Sequence, residues 1–502
     1  MRHWAVWTLL SASCAVLVHL VYLTTPLRVD EAGVSLVARS AIEDPPSLLY
    51  GRLWIDRPPL LIGLFALADA AGGAVGVRML GVLAAAGMVC SVAWTTRRLL
   101  GEKWTAPAAV MAAALGSAPA LSAHITYAEL IAAPLCCAAI GCALPTMHTS
   151  TVHTRSWGIA GALAAGAPLV KQSFGDAMLA LIIAAALAPT ARLAVMRLTI
   201  LTTGAALPVG IVLAWAVTAG PGVGPLWYAV VAFRMDAARA LAEASVPLSE
   251  RLPQLGLGIA VAGYVVLAPL VVRGLRAAFR ASWRSGLVLA VWLTAGWVGI
   301  LGGGYFWTHY MIGVAPVMVI LAIYGLQARC SPRLSVGARR PATSKAIIGA
   351  FLMVHACATL VGYRAVGASS QHTTMAVAGT LREQARPDDF VLVMYARANV
   401  AYYSGMQPAF PYQWSLMYRA IPDAEEDLAA MLESSRRPTW IAQWNPPGAF
   451  GMNRDGRITA AIRRGYRTIT HVCDVPIMVR RDDPRSRHQI PEPACQTPNS
   501  PD

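Results

Sequence analysis

What most constrains this chain is an alternation along its first 364 residues: apolar runs approaching bilayer-spanning length, separated by short polar segments. About 20 apolar residues in a helix cross the hydrocarbon core of a membrane. One very large soluble core would not interleave such runs with clusters of charge. Composition agrees, since 13% of residues are charged and 56% hydrophobic, against about a quarter charged in soluble domains. The reading is a polytopic α-helical membrane protein.

Basic residues gather in alternate short loops: Arg97, Arg98 and Lys103; Arg192 and Arg197; Arg273, Arg276, Arg280 and Arg284; Arg329, Arg333, Arg339, Arg340 and Lys345. This is the positive-inside pattern, which sets topology. The net charge of +15 therefore needs no polyanionic partner, and no nucleic acid is expected. Up to residue 364 nearly every acid lies in the opposite loops, with Glu102 the exception. Topology does not require acids there, so the partition points to chemistry on the outer side. Arg2 before the first run predicts a cytoplasmic N-terminus. No small-x-small cleavage site precedes Asp30, which favours an uncleaved anchor over a signal peptide.

The runs at 4–23, 75–95, 104–122, 130–144, 157–170, 177–187, 198–218, 255–272, 286–301, 310–326 and 346–363 give about eleven spans, with the C-terminus outside. Residues 60–71 are apolar but short, and either lie along the interface or lead into the next span. A second outer segment, 219–253, carries Arg234, Asp236, Arg239, Glu243 and Glu250. Its two arginines, five apart, do not share a helix face cleanly; a donor-phosphate contact is open to them, but the segment reads first as a solvated interfacial helix. Cys14, Cys90, Cys136, Cys137, Cys142 and Cys357 fall in apolar runs and act as small hydrophobes.

After Arg364 the composition becomes that of a soluble domain. Helices are predicted at 373–385, 423–434 (with Asp423 as cap) and 457–464, strands at 390–394 and 439–443, and a strand or hairpin at 467–479. Their alternation predicts a small extracytoplasmic α/β domain over 365–481. Cys473 and Cys495 are able to pair there. Residues 482–502, rich in Pro, Arg and Ser, read as disordered.

The chemistry concentrates at 28–61, RVDEAGVSLVARSAIEDPPSLLYGRLWIDRPPLL, a polar loop between apolar segments. Asp30 and Glu31 stand side by side after the first run. A carboxylate there can take a proton from an acceptor hydroxyl, or the pair can hold a divalent cation against a phosphate. Two acids opening a solvated loop is the plain alternative. Further on, Asp56 and Arg57 precede Pro58 and Pro59. Paired prolines fix the entry into the next helix, and Arg57 can grip a phosphate with two hydrogen bonds.

An acidic pair after the first span, followed some 25 residues later by an acid–base–Pro–Pro–Leu stretch, resembles the GT-C membrane glycosyltransferases. The resemblance is closest to the protein O-mannosyltransferase and lipid A aminoarabinose transferase group. Here the matching residues are Asp30, Glu31 and residues 56–60, with Arg57 where many members carry lysine. Further segments match in order: Thr126-Tyr127-Ala128-Glu129 ahead of Pro134, GAPLVKQ ending at Lys171 and Gln172, and His309-Tyr310 after the glycines at 302–304. Residues 388–393 and Tyr402 to Gly405 resemble the outer domain of actinobacterial-type members.

The resemblance implies transfer of a sugar from a polyprenyl-phosphate donor to a glycan, lipid or protein acceptor at the outer face of the cytoplasmic membrane. It implies Asp30 as base or its positioning partner and Glu31 as orienting the acceptor or a cation. Arg57, Lys171, His309 and Tyr310 would contact the donor phosphate, and Asp56, Glu129 and Gln172 the sugar or acceptor. Metal dependence and the sugar stay open. Each residue also has a bland reading: Glu129 as a helix cap, Lys171 as a snorkelling side chain, His309 as part of an interfacial belt. Tyr412, Trp414, Trp440 and Trp444 read equally as sugar-stacking faces or core. No nucleotide-sugar fingerprint is visible, in keeping with a lipid donor. A flippase for lipid-linked saccharides and a non-catalytic scaffold are the rivals. The former would place its ionisable residues nearer the bilayer midplane.

Overall fold

The computed structural model describes residues 3–44, 47–242, 248–330, 348–353, 355–357, 359 and 371–493. Up to Cys330 these form helices. In order they are α1 (His3–Leu20), α2 (Val29–Glu43), α3 (Pro59–Leu100), α4 (Thr105–Gly116), α5 (Ala128–Ala143), α6 (Thr154–Val170) and α7 (Asp176–Ala186). Then follow α8 (Ala191–Thr218), α9 (Val223–Trp227), α10 (Phe233–Ala242), α11 (Leu248–Val261), α12 (Tyr264–Ala281), α13 (Trp283–Gly302) and α14 (Met311–Cys330).

Among the described residues, five helices are long and apolar enough to cross a membrane, and six if α11 and α12, bent by 71° at their junction, count as one broken span. The count of eleven is not confirmed. Several of the other expected spans are helices too short to cross alone. The α7 helix has 11 residues, about 17 Å at 1.5 Å each. Of the expected run 346–363, residues 346–347, 354, 358 and 360–363 lie outside the described residues.

Two differences bear on the site. The 28–61 stretch is not all loop, because 15 of its residues form α2. Its first turn holds Asp30 and Glu31, acids that suit the positive end of a helix dipole. Glu31 reaches back to the Arg28 N–H at 3.0 Å, half of a capping box. The short apolar segment 60–71 is the first arm of α3, which breaks at Gly72 and Gly73. Gly73 sits at φ 55°, a conformation that costs glycine little.

Small residues let the helices approach closely, as expected where lipid offers no hydrophobic driving force. A Cβ at Gly274 of α12 would overlap the Leu321 carbonyl of α14, and one at Gly325 of α14 the Leu270 carbonyl of α12. Between α6 and α8, Gly161 and Gly204 do the same.

Beyond residue 370 the chain forms α15 (Gln371–Gln384), β1 (Phe390–Val393), α16 (Ala398–Ser404), β2 (Gln407–Pro408), α17 (Ser415–Ala420) and α18 (Ala424–Glu433). It ends with β3 (Trp440–Ala442), α19 (Arg457–Gly465), β4 (Tyr466–Val472) and β5 (Val475–Arg480). The sheet order is β2-β1-β3-β5-β4, with β2, β1 and β3 parallel and β5 antiparallel to both neighbours. Asp423 stands before α18, but at φ 63° its side chain makes no cap and its carbonyl accepts from Asp427 instead. Cys473 is disulfide-bonded, while Cys495 lies outside the described residues. The disorder expected from 482 onward does not hold at its start. Pro484–Arg487 forms a 3-10 turn, and Arg485 grips Asp389 with two hydrogen bonds of 2.7 and 2.9 Å.

Candidate active site

The chemistry-bearing segments converge on a cavity of about 1300 Å³. Its walls come from the start of α2, the Asp56–Arg57 turn, the segment before α5, the end of α6, α10, the glycine-rich end of α13, and residues 414–417 of the C-terminal region.

Asp30 lines this cavity and accepts a hydrogen bond of 2.9 Å from the Trp414 indole N–H. Glu31, one residue on, points elsewhere. It is 1% exposed, pairs with Arg78 at 3.1 Å, and accepts from the Thr126 N–H at 2.8 Å. Arg78 also donates to the carbonyls of His124 and Pro26, at 2.8 and 2.9 Å. The adjacent acids therefore separate: Asp30 faces the cavity and Glu31 closes a buried clamp between segments. A cation shared by the two finds no support in this geometry, because Arg78 already balances Glu31. Among the described residues no group of three or more His, Cys, Asp or Glu side chains is arranged to hold a metal ion.

The turn before α3 supplies the second group. Asp56 is buried, with Arg57 Nη1 at 2.9 Å and the Arg234 guanidinium in contact with its other oxygen. The Gln172 amide donates to the Asp56 carbonyl at 2.8 Å. Pro58 and Pro59 open α3, and the Tyr50 hydroxyl holds the Arg57 carbonyl at 2.7 Å. The turn is thus pinned at both ends. Asp56 organises two arginines and is not open to a ligand by itself.

The third group joins Glu129, Lys171, His309 and Tyr310. Glu129 lies in the first turn of α5, buried, in contact with the Lys171 ammonium and 3.6 Å from His309 Nε2. Lys171 also sits 4.4 Å above the Tyr310 ring. His309 stacks on Tyr127 with ring centres 3.8 Å apart. These residues, spread over more than 180 positions of sequence, form one patch on the cavity wall. Burial, and then the nearby Asp30, Glu31 and Glu129 carboxylates, push the Tyr127 phenol well above its ordinary value. At pH 7 it is a neutral hydrogen-bond donor. Burial, followed by Arg78 and Arg28, lowers His124 to about 3, so its imidazole is neutral.

Of the residues given base, phosphate, sugar or acceptor roles, all except Glu31 line the cavity, and of the candidate stacking aromatics Trp414 does while Tyr412, Trp440 and Trp444 do not. Residues not singled out join them: Arg28, Asp176, Arg251 and Ser415. Arg234 was expected on a solvated helix but touches Asp56 instead. Its helix, α10, packs over the segment 28–61, and no local spacing announces that. Asp176, at the start of α7, accepts from Trp292 at 2.9 Å and from Cys136 at 3.5 Å. An acid opening an apolar run was the available signal. Lysine and arginine at Arg28, Arg57, Lys171, Arg234 and Arg251 meet carboxylates at Asp30, Asp56, Glu129 and Asp176. Most of these carboxylates are already engaged, so the lining suits a ligand that brings negative charge.

No protein-family model matches the chain, and no curated protein sequence matches it. Solved structures do. ArnT from Cupriavidus metallidurans bound to undecaprenyl phosphate superposes with a TM-score of 0.60 at 15% identity, covering 94% of this chain and 97% of that one. The Archaeoglobus fulgidus oligosaccharyltransferase, crystallised with zinc and sulfate, gives 0.56 at 13% identity, over 92% of this chain and 72% of that one. The mycobacterial arabinofuranosyltransferase AftD gives 0.51 at 14%, over 95% of this chain and 40% of that much longer one. At these identities the likeness is one of fold, and the chain has the GT-C fold of these membrane glycosyltransferases.

Proposed function

We propose that the protein transfers a sugar from a polyprenyl-phosphate donor to an acceptor at the outer face of the cytoplasmic membrane. The acceptor is a cell-envelope glycan, a lipid or a protein. The observation that carries the reading is the cavity: one carboxylate, Asp30, faces a wall bearing Arg57, Arg234, Lys171 and His309. In the reaction the acceptor oxygen attacks the anomeric carbon, and the bond from that carbon to the phosphate oxygen breaks. The bonding pair leaves with the phosphate, and the acceptor proton passes to Asp30. Negative charge grows on the phosphate oxygen, where fixed cations contribute most. A positioned base contributes about 10²–10⁴-fold in rate.

The roles divide by position. Asp30 is the base. Arg57, Arg234 and Lys171 hold the phosphate, with His309 and Tyr310 beside them. Glu129 and Asp56 keep those cations in place, and Gln172 fixes the Asp56 turn. Glu31 positions the start of α2. Residues 1–364 form the transmembrane catalytic unit, with the N-terminus cytoplasmic, and 365–481 an extracytoplasmic domain. The solved relative bound to undecaprenyl phosphate and an archaeal one bound to dolichol phosphate support a lipid donor. The test incubates the purified protein with radiolabelled polyprenyl-phosphate mannose, then with a panel of other polyprenyl-phosphate hexoses and pentoses, plus membrane extract. Label moving to an acceptor from one of them is expected. No transfer from any would overturn the reading.

A further inference from the structure

The reading above uses the C-terminal domain only as wall, yet its contact with Asp30 is specific. We infer that Trp414 is a positioning residue: it holds the Asp30 carboxylate in its reactive orientation, so the outer domain completes the active site. This rests on the proposed glycosyl transfer.

Four observations carry it. The Trp414 indole N–H donates to Asp30 Oδ1 at 2.9 Å, joining residues 384 positions apart. The indole lies directly against Gly33, one turn on from Asp30 in α2. A Cβ at Gly33 would stand 2.5 Å from Trp414 Cζ2, a distance real side chains do not reach. The backbone of α2 is therefore shaped to admit this ring. The segment bearing Trp414 is also held to the membrane body on several sides. Tyr403 accepts the Leu27 N–H at 2.7 Å, Tyr402 donates to Asp69 at 2.7 Å, and the Trp54 N–H meets the Pro411 carbonyl at 3.2 Å. Finally, Arg419 of α17 donates to the Ala240 carbonyl of α10 at 2.6 Å, and α10 carries Arg234. One short helix thus bridges the base at Asp30 and an arginine of the phosphate wall. Movement of the outer domain would disturb their relative positions.

A hydrogen bond to one carboxylate oxygen restricts rotation of the group and leaves the other oxygen for the acceptor. A misplacement of about 1 Å can cost on the order of 100-fold in rate. The experiment compares Trp414→Phe and Trp414→His with wild type in the donor assay. Phenylalanine keeps an aromatic ring against Gly33 and lacks the N–H. Histidine can place Nε2–H at the ring position of the indole nitrogen. The expected result is a fall in kcat of about 10–100-fold for Trp414→Phe, donor KM within about twofold, and recovery of most of the rate in Trp414→His. In an Asp30→Asn background, Trp414→Phe should cost nothing further, since residues acting as a unit are non-additive. A wild-type kcat in Trp414→Phe, no recovery with histidine, or an additive loss in the Asp30→Asn background would overturn the inference. So would early melting of both ring variants in detergent, because the contact would then serve the fold. Failure of the proposed function itself reads differently: wild type would transfer no sugar from any donor.

Discussion

Two acid–arginine clusters take their acids from the same segment, 28–61, and come out differently. Glu31 and Arg78 are closed off, with side chains 0% and 3% exposed, and they hydrogen-bond to backbone groups of neighbouring segments. Asp56 holds Arg57 and Arg234, whose side chains are 30% and 39% exposed and line the cavity. A guanidinium has five N–H donors. The first cluster is sealed within the protein, whereas the second presents its arginines to the cavity. A charged pair is a binding site only when it stays open to a ligand, and residue type alone does not say which case applies.

Substitutions should break this comparison in a set order. The largest effect falls on the closed cluster. Glu31→Ala or Arg78→Ala leaves a buried charge unpaired and should destabilise the fold by about 3–5 kcal/mol, measured by denaturant titration in detergent micelles. A loss below about 1 kcal/mol, as for an exposed pair, would put the two clusters in the same class. Next comes the open cluster. Arg57→Ala should leave the melting transition close to wild type and weaken binding of polyprenyl phosphate about 10–100-fold, the size of one or two charge-assisted hydrogen bonds. Titration with the lipid phosphate in micelles checks it. Unchanged affinity with an early melt would mean that Arg57 is structural.

The smallest effect lies in the outer domain, where Asp389 gives a third, closed case. Burial alone would raise its carboxyl. Hydrogen bonds from Arg485, the Arg386 N–H and Trp440 outweigh that and hold it at about 2. Its ordinary value is about 3.9, so the folded value is depressed. The stabilisation is complete above about pH 4 and is lost as pH falls toward about 2. Melts between these limits should drop for wild type and change less for Asp389→Asn. Parallel curves would remove Asp389 from the account.

The sequence carried the membrane class and many of the charged and polar residues that line the cavity, because each is written locally. Span hydrophobicity and the Asp-Arg-Pro-Pro turn need no knowledge of packing. What stayed hidden depends on contacts between distant segments. Nothing near Glu31 announces Arg78, 47 residues on, so the Asp30–Glu31 pair reads as one site when it is two. Arg234 looks solvated until α10 lies against Asp56. Trp414 reads as sugar platform or core until α17 brings it to Asp30. The eleven-run count treats every apolar stretch as a crossing, while helices such as α7 are too short to cross alone. In the C-terminal domain, local patterning sufficed for the elements predicted there but missed Ala398–Ser404, Gln407–Pro408 and Ser415–Ala420, and the hold of Arg485 on Asp389, 96 residues away, could not be read beforehand.

The most direct test of the central claim is the rate of sugar transfer by Asp30→Asn beside wild type, with polyprenyl-phosphate binding measured on the same preparations. Asparagine keeps the shape and can still accept from Trp414, but it cannot take the acceptor proton. The account predicts lipid-phosphate binding within about threefold of wild type and a transfer rate lower by about 10²–10⁴-fold. Transfer at the wild-type rate by Asp30→Asn would contradict it.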